Sequence, residues 1–237
     1  MRDWPRRHHR APAVLEVEFR TAGAFLVAYS SNLSKGGIFL EMDPPLPQGT
    51  KIGLRFHVPG GGEAIEVAGR VAWVRERGAP GEAPQPVGVG VEFGQFGADI
   101  GEAIDRIVGT FSGIRIATLA ELRDRAQLGR IIKSALSCQQ LEVGDPDEAR
   151  HVFAQQVELL IAVLTGQEVE DDDAVQIMRL ARAHHGQPIP VIALVHNAAG
   201  RAHAEDAGAD EILEHPPGLP DLQAAVVRLI GRPAAIK

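Results

Sequence analysis

A change of hydrophobic period near residue 112 constrains this chain more than any other feature. Before it, apolar and charged residues alternate, as in VLEVEFR at 14–20, and Gly/Pro turns separate the alternating segments. Beyond it, unbroken apolar runs such as VELLIAVLT at 157–165 and PVIALV at 190–195 are interleaved with stretches of helical spacing. A period of two belongs to half-buried strands, whereas strands separated by helices imply right-handed crossovers and a parallel sheet. At 237 residues the chain can bury two cores. We therefore expect two domains: an all-β unit over residues 1–112 and an α/β unit of (βα)5 order over 113–237.

In the first unit the expected strands are VLEVEFR, AFLVAYSS after a turn at Gly23, GIFLEM, KIGLRFHV, EVAGRVAWVRE and GVGVEF. Six short strands joined by tight turns read as a closed or nearly closed antiparallel barrel. Gly69 is expected to mark a bulge or corner, and Trp73 to fill the barrel core. The segment GAPGEAPQP at 78–86 reads as a hairpin tip. Ile100, Ile104, Ile107, Val108 and Phe111 recur at helical spacing, so a short amphipathic helix should pack on or near the barrel.

Two polar motifs carry chemistry. Arg6 and Arg10 form R-x-x-x-R just before the first strand, and guanidinium forks suit phosphate oxygens and the O6/N7 edge of guanine. Asn32, Ser34 and Gly37 form N-x-S-x-x-G at a polar corner between two apolar segments. Together, and with GRVAWV at 69–74 and GVGVEF at 88–93, these motifs resemble the PilZ family of bacterial cyclic di-GMP receptors over residues 5–111. The resemblance implies a six-stranded antiparallel PilZ barrel with cyclic di-GMP as its ligand. It implies that Arg6 and Arg10 clamp phosphates and guanine while Asn32, Ser34 and Gly37 hold the other guanine edge. Trp4, Arg7 and Gly36 are additional candidates beside them. Many nucleotide-binding members have Asp at the place of Asn32, which keeps a carbonyl acceptor but brings no negative charge.

In the second unit the (βα)5 order, PVIALV and the closing ADEILEHP resemble the receiver domain of two-component response regulators over residues 114–231. A phosphorylatable receiver carries acidic residues after its first strand and an aspartate at the end of its third. Here those places fall on Thr118, Leu119 and Ala120, and on Val163. The switch hydroxyl falls near Val195 and the lysine near His215, with Pro216 retained. The resemblance therefore implies a receiver-like domain that takes no phosphate.

Charge follows the same division. Residues 1–111 hold 12 Lys/Arg and 13 Asp/Glu, and residues 112–237 hold 12 and 18. An acidic chain lacks the basic face that general nucleic-acid binding needs, although the arm with Arg2, Arg6, Arg7 and Arg10 suits a small anion. The single cysteine, Cys138, excludes an intramolecular disulfide framework and fits a reducing compartment. Glu16 and Glu18 interrupt the only candidate signal-peptide core, and no stretch approaches a membrane span, so a cytoplasmic location without membrane insertion is expected. Glu168, Glu170, Asp171, Asp172 and Asp173 read as carboxylates opening a helix. His184 with His185, and His196 with His203, lack a third ligand at a usual metal spacing and read as surface and helix-end residues, so no metal or other cofactor is expected. No Ser/His/Asp, Cys/His or paired-carboxylate arrangement supports an enzyme. The expected function is a cyclic di-GMP-binding effector that relays binding to an unidentified protein partner in signalling or motility. The alternative is an interaction adaptor of the same architecture that does not bind the nucleotide.

Overall fold

The computed structural model describes residues 13–31, 36–58, 62–77, 86–94, 104–105, 107–108, 111, 113–136, 138–184, 187–233 and 235–236. The expected strand at AFLVAYSS is instead helical. After β1 (Ala13–Glu18) the chain forms α1 (Ala22–Ser31). Thr21 is the reason at the N-terminus: its Oγ1 accepts from the Ala24 amide at 3.0 Å, a side-chain cap on the first turn. Ala24, Phe25 and Ala28 are all buried, a helical recurrence that a strand cannot bury on one face.

Four more strands follow: β2 (Gly37–Glu41), β3 (Lys51–His57), β4 (Ile65–Arg75) and β5 (Gly88–Phe93). The missing sixth strand comes from the other end of the chain, as β11 (Ala235–Ile236) pairs antiparallel with β1. The sheet order is β11-β1-β3-β4-β5-β2. The pairing of β1 with β3 is parallel, contrary to the all-antiparallel expectation, while β3–β4, β4–β5 and β2–β5 are antiparallel. The helix explains this: α1 carries the chain from β1 to the opposite edge of the sheet, so β1 and β2 are never neighbours.

The bulge also sits elsewhere than expected. Gly69 pairs in register with both Ile52 and Phe93, and the irregularity falls between Val71 and Trp73. This one-residue shift reverses the alternation of β4. Val71 is buried, but Trp73 is turned outward and is 43% exposed rather than in the core. Its ring stacks on Phe39 at a centroid distance of 5.3 Å, and the Arg75 guanidinium lies over both rings at 4.7 and 5.3 Å. A Cβ on Gly90 would stand 2.1 Å from the Trp73 indole, so the cross-strand glycine is what lets the ring lie flat.

The second sheet follows the expected pattern. Its strands are β6 (Ile114–Leu119), β7 (Cys138–Glu142), β8 (Leu159–Leu164), β9 (Val191–Val195) and β10 (Glu211–Glu214). The crossovers are α2 (Leu122–Ala135), α3 (Pro146–Phe153), α4 (Glu168–Arg182) and α5 (Ala198–Asp206), and α6 (Leu219–Ile230) follows β10. All pairings are parallel, in the order β10-β9-β8-β6-β7. With strands numbered within this unit, the order is 2-1-3-4-5, that of flavodoxin-like doubly wound sheets.

One apolar core joins the two sheets. Phe25 and Ala28 of α1, Leu54 and Val71 of the first sheet, Ile116 and Ile161 of the second, and Leu222 and Ile230 of α6 belong to a single buried cluster. Helix α1 packs against α6, and a Cβ on Gly231 would lie 3.4 Å from the Ala28 Cα. Ile107 of the expected helix before residue 112 is buried in the same cluster, with Ile104 packed against it. The opposite face of the parallel sheet has its own core, around Ala117, Leu160, Ala162, Ile177 and Met178. Among the described residues no helix is long and apolar enough to cross a membrane.

Candidate functional site

Of the candidate nucleotide ligands, Gly36 and Gly37 fall within the described residues; Trp4, Arg6, Arg7, Arg10, Asn32 and Ser34 lie outside them. Gly36 has φ +87°, a conformation that a side chain strains, and its carbonyl accepts from the Phe93 amide at 2.7 Å. Gly37 pairs with Glu92, and a Cβ there would stand 2.8 Å from the Val91 carbonyl oxygen. The glycine end of N-x-S-x-x-G is thus held against β5 by backbone contacts that only glycine permits. The motif therefore links the C-terminus of α1 to β2, rather than linking two strands.

In sequence, Arg6 and Arg10 precede β1, and just past the end of β1 the chain contacts the second sheet. Beyond the end of β1, Arg20 donates from Nη1 and Nη2 to the carbonyls of Val157 and Glu158. Burial lowers the Arg20 pKa to about 10 against the favourable charge of Glu158. The Glu158 carboxylate is buried and accepts from the Arg115 amide at 2.6 Å. Burial raises its pKa, outweighing the Arg115 amide, the Thr21 hydroxyl and Arg20, all of which favour the charged form. On the exposed face, Glu16 of β1 meets Arg55 at 2.7 Å and His57 at 2.6 Å. The hydrogen bond from His57 is the main cause that holds the Glu16 carboxyl below its usual range.

At the carboxyl ends of the parallel strands, Thr118, Leu119 and Ala120 are buried and Val163 is packed in the core of β8. Val195 ends β9 buried, and His215 follows β10 with a cis bond to Pro216. No carboxylate occupies the expected acceptor place at residue 163 or the acidic place at 118–120. The acidic stretch that opens α4 is used differently from the expectation. Asp171 lies within the helix and turns back, its Oδ1 accepting from the Thr165 amide at 2.8 Å and its Oδ2 from the Gly166 amide at 2.9 Å. His203 Nδ1 lies 2.8 Å from the same carboxylate. Asp171 therefore ties down the loop after β8, and the helix start itself has no side-chain cap.

A second cluster at this end was not legible in the sequence. Asp124 of α2, His196 after β9 and His215 after β10 bring their side chains together, with His196 Nε2 at 3.2 Å and His215 Nε2 at 3.8 Å from the Asp124 oxygens. The sequence separations of 72 and 19 residues match no local metal motif, so only the sheet order reveals the trio.

The family model of the PilZ domain matches residues 5–109. No curated protein matches the chain. Among solved structures, the chain is similar to the receiver domain of a sensor histidine kinase from Pseudomonas aeruginosa, at 22% identity over 51% of this chain and 99% of that one, with a TM-score of 0.42. It is also similar to the receiver domain of a histidine kinase from Syntrophus aciditrophicus, at 21% identity over 50% and 90% of the two chains and a TM-score of 0.39. A response regulator receiver protein from Pseudomonas putida shares 16% identity over 50% and 98%, with a TM-score of 0.39. The family match thus falls on the first unit, and the parallel sheet of the second unit follows the match with its 2-1-3-4-5 strand order.

Proposed function

We propose that this chain, whose residues 5–109 carry a PilZ domain, is a non-enzymatic cyclic di-GMP effector that relays nucleotide binding to a protein partner through a receiver-like domain that accepts no phosphate. The observation that carries the reading is the family match, which spans both the R-x-x-x-R arm and the N-x-S-x-x-G corner. Arg6 and Arg10 take the phosphates and one guanine, and Asn32, Ser34 and Gly37 take the other edge of the ligand. Residues 1–112 act as the sensor and residues 113–237 as the output.

The relay reading is supported by the route from arm to output. The arm continues into β1, which pairs with β11 from the C-terminus, and Arg20 reaches the carbonyls before β8. Nucleotide bound by Arg6, Arg10 and the corner changes the surface beside this junction, and a ligand shifts the balance of states only as far as it binds one of them better. Val163, buried at the acceptor place of β8, supports the nucleotide rather than a phosphoryl group as the input.

Isothermal titration and thermal shift of the full chain with cyclic di-GMP test the proposal. Saturable binding with a concentration-dependent rise in Tm is expected. Absence of both would leave the interaction adaptor, with both domains serving as docking surfaces.

A further inference from the structure

We propose that Asp124, His196 and His215 form a binding site for one divalent transition-metal ion of the zinc class, at the carboxyl end of the parallel sheet. Three donor atoms, one from each side chain, lie within 4.8 Å of one another. A tetrahedral zinc ion with bonds of about 2.0–2.1 Å separates neighbouring donors by about 3.3 Å. His196 Nε2 lies 3.2 Å from Asp124 Oδ2 and His215 Nε2 lies 3.8 Å from Asp124 Oδ1, so each imidazole stands near that separation from one oxygen of the carboxylate.

His215 supplies the independent observation. Its side chain is 2% exposed, and neither ring nitrogen has a hydrogen-bond partner. A buried imidazole with two unmet nitrogens is destabilising unless a further group satisfies it. The 3.8 Å gap to Asp124 is too long for a hydrogen bond but suits an ion held between the two groups. The His196 and His215 rings lie 4.6 Å apart between centroids, so both imidazoles face the same carboxylate.

The fold presents the three groups on rigid backbone. The His196 amide donates to the Leu164 carbonyl at 3.1 Å, and the His215 amide to the Val195 carbonyl at 3.0 Å. Asp124 sits in the first turn of α2, where its amide donates to Glu121 at 2.9 Å. The Asp124 carboxylate is 11% exposed and also lies 3.5 Å from Arg123 Nε, on a side chain that is 56% exposed and can swing into solvent. Two imidazoles and one carboxylate suit zinc, nickel or cobalt, whereas magnesium prefers an octahedron of oxygen donors. Three protein ligands leave the fourth position to water or to a donor from a partner.

The test uses the full-length protein, stripped of metal and titrated with zinc against a chromophoric chelator, with cobalt(II) as a spectroscopic probe. We expect one equivalent of zinc, a rise in Tm with zinc, and visible absorption of tetrahedral cobalt. His215→Ala, His196→Ala and Asp124→Asn should each weaken zinc at least tenfold, since even outer-shell partners of a metal contribute about 10–100-fold. His57→Ala and His151→Ala should bind as wild type. If His215→Ala does not fold, the half-exposed His196→Ala carries the same comparison. Zinc binding that is unchanged in His196→Ala and Asp124→Asn, or lost instead when His8 and His9 are both replaced by alanine, would overturn the site. So would the absence of zinc binding to wild type at micromolar concentrations.

Discussion

Arg20, just past the end of β1, donates to the backbone carbonyl of Glu158, which immediately precedes β8. The strand that follows the arginine arm is thereby joined to the middle of the parallel sheet. A second donor from the same guanidinium reaches the Val157 carbonyl. Arg20→Ala removes both donors and one of the two cations near the Glu158 carboxylate. We expect a loss of about 1–3 kcal/mol, read as a lower urea midpoint. Arg20→Lys should recover only part, because an ammonium lacks the planar fork. A midpoint unchanged in Arg20→Ala would remove this contact from the account of how the sheets are joined.

The carboxyl of Glu158 makes the junction pH-sensitive. Burial raises its pKa above the ordinary 4.5, so the folded state holds the proton more tightly than the unfolded state. The stability from this group is therefore fully present below the unfolded pKa and is lost as pH rises through the raised folded value. Glu158→Gln keeps an oxygen for the Arg115 amide and does not titrate. Urea unfolding of both proteins between about pH 4 and pH 7 should show wild type losing stability relative to the variant as pH rises. A constant difference across that window contradicts the sign.

For the arm, Arg6→Ala and Arg10→Ala should each lower cyclic di-GMP affinity at least tenfold, from charge-assisted bonds of about 1.5–3 kcal/mol. Ser34→Ala should cost less. Hydrogen exchange should show amides of residues 2–14 gaining protection with nucleotide while those of 52–56 in β3 stay nearly unchanged. Arginine variants that bind like wild type would reassign the ligand site.

The receiver-like unit should take no phosphate from acetyl phosphate or a kinase. The acceptor place holds Val163, and Thr118, Leu119 and Ala120 stand where an acidic pair would hold magnesium. Intact mass before and after treatment is the measurement, and a stoichiometric acid-labile adduct is the contrary outcome.

Gly90→Val should displace the Trp73 ring, because a Cβ at this position would already stand 2.1 Å from it. We expect a change in tryptophan fluorescence and a loss of about 1–3 kcal/mol. Trp73→Ala in the same background should relieve part of that loss, since the two residues are in direct contact. If Gly90→Val is as stable as wild type, the ring is not confined by β5.

The second sheet was legible because each of its signals is local. The runs LLIAVL and VIALV are buried on both faces, and the helices between them carry their apolar residues at helical spacing. Asp145 caps α3 through the Asp147 and Glu148 amides at 2.9 and 2.8 Å, a short-range cue that propensity rules contain. Segment 22–31 resembles a strand in sequence because AFLVAY is an unbroken run without charge and carries Val27, Phe25 and Tyr29. The missed cue was Thr21, whose hydroxyl caps the turn and whose small neighbours admit a close helix contact.

The sequence by itself determined the (βα)5 order of the second unit, the strands β1 and β2 to β5, and the places of the R-x-x-x-R and N-x-S-x-x-G motifs. These are properties of residue type and short-range period, which act over a few positions. Tertiary structure decided the parallel pairing of β1 with β3, the recruitment of β11, the outward turn of Trp73 and the meeting of Asp124 with His196 and His215. Each of these depends on which distant segments bury surface together. An apolar segment such as α1 can satisfy its backbone as helix or strand, and the choice fell to packing against α6 in the shared core.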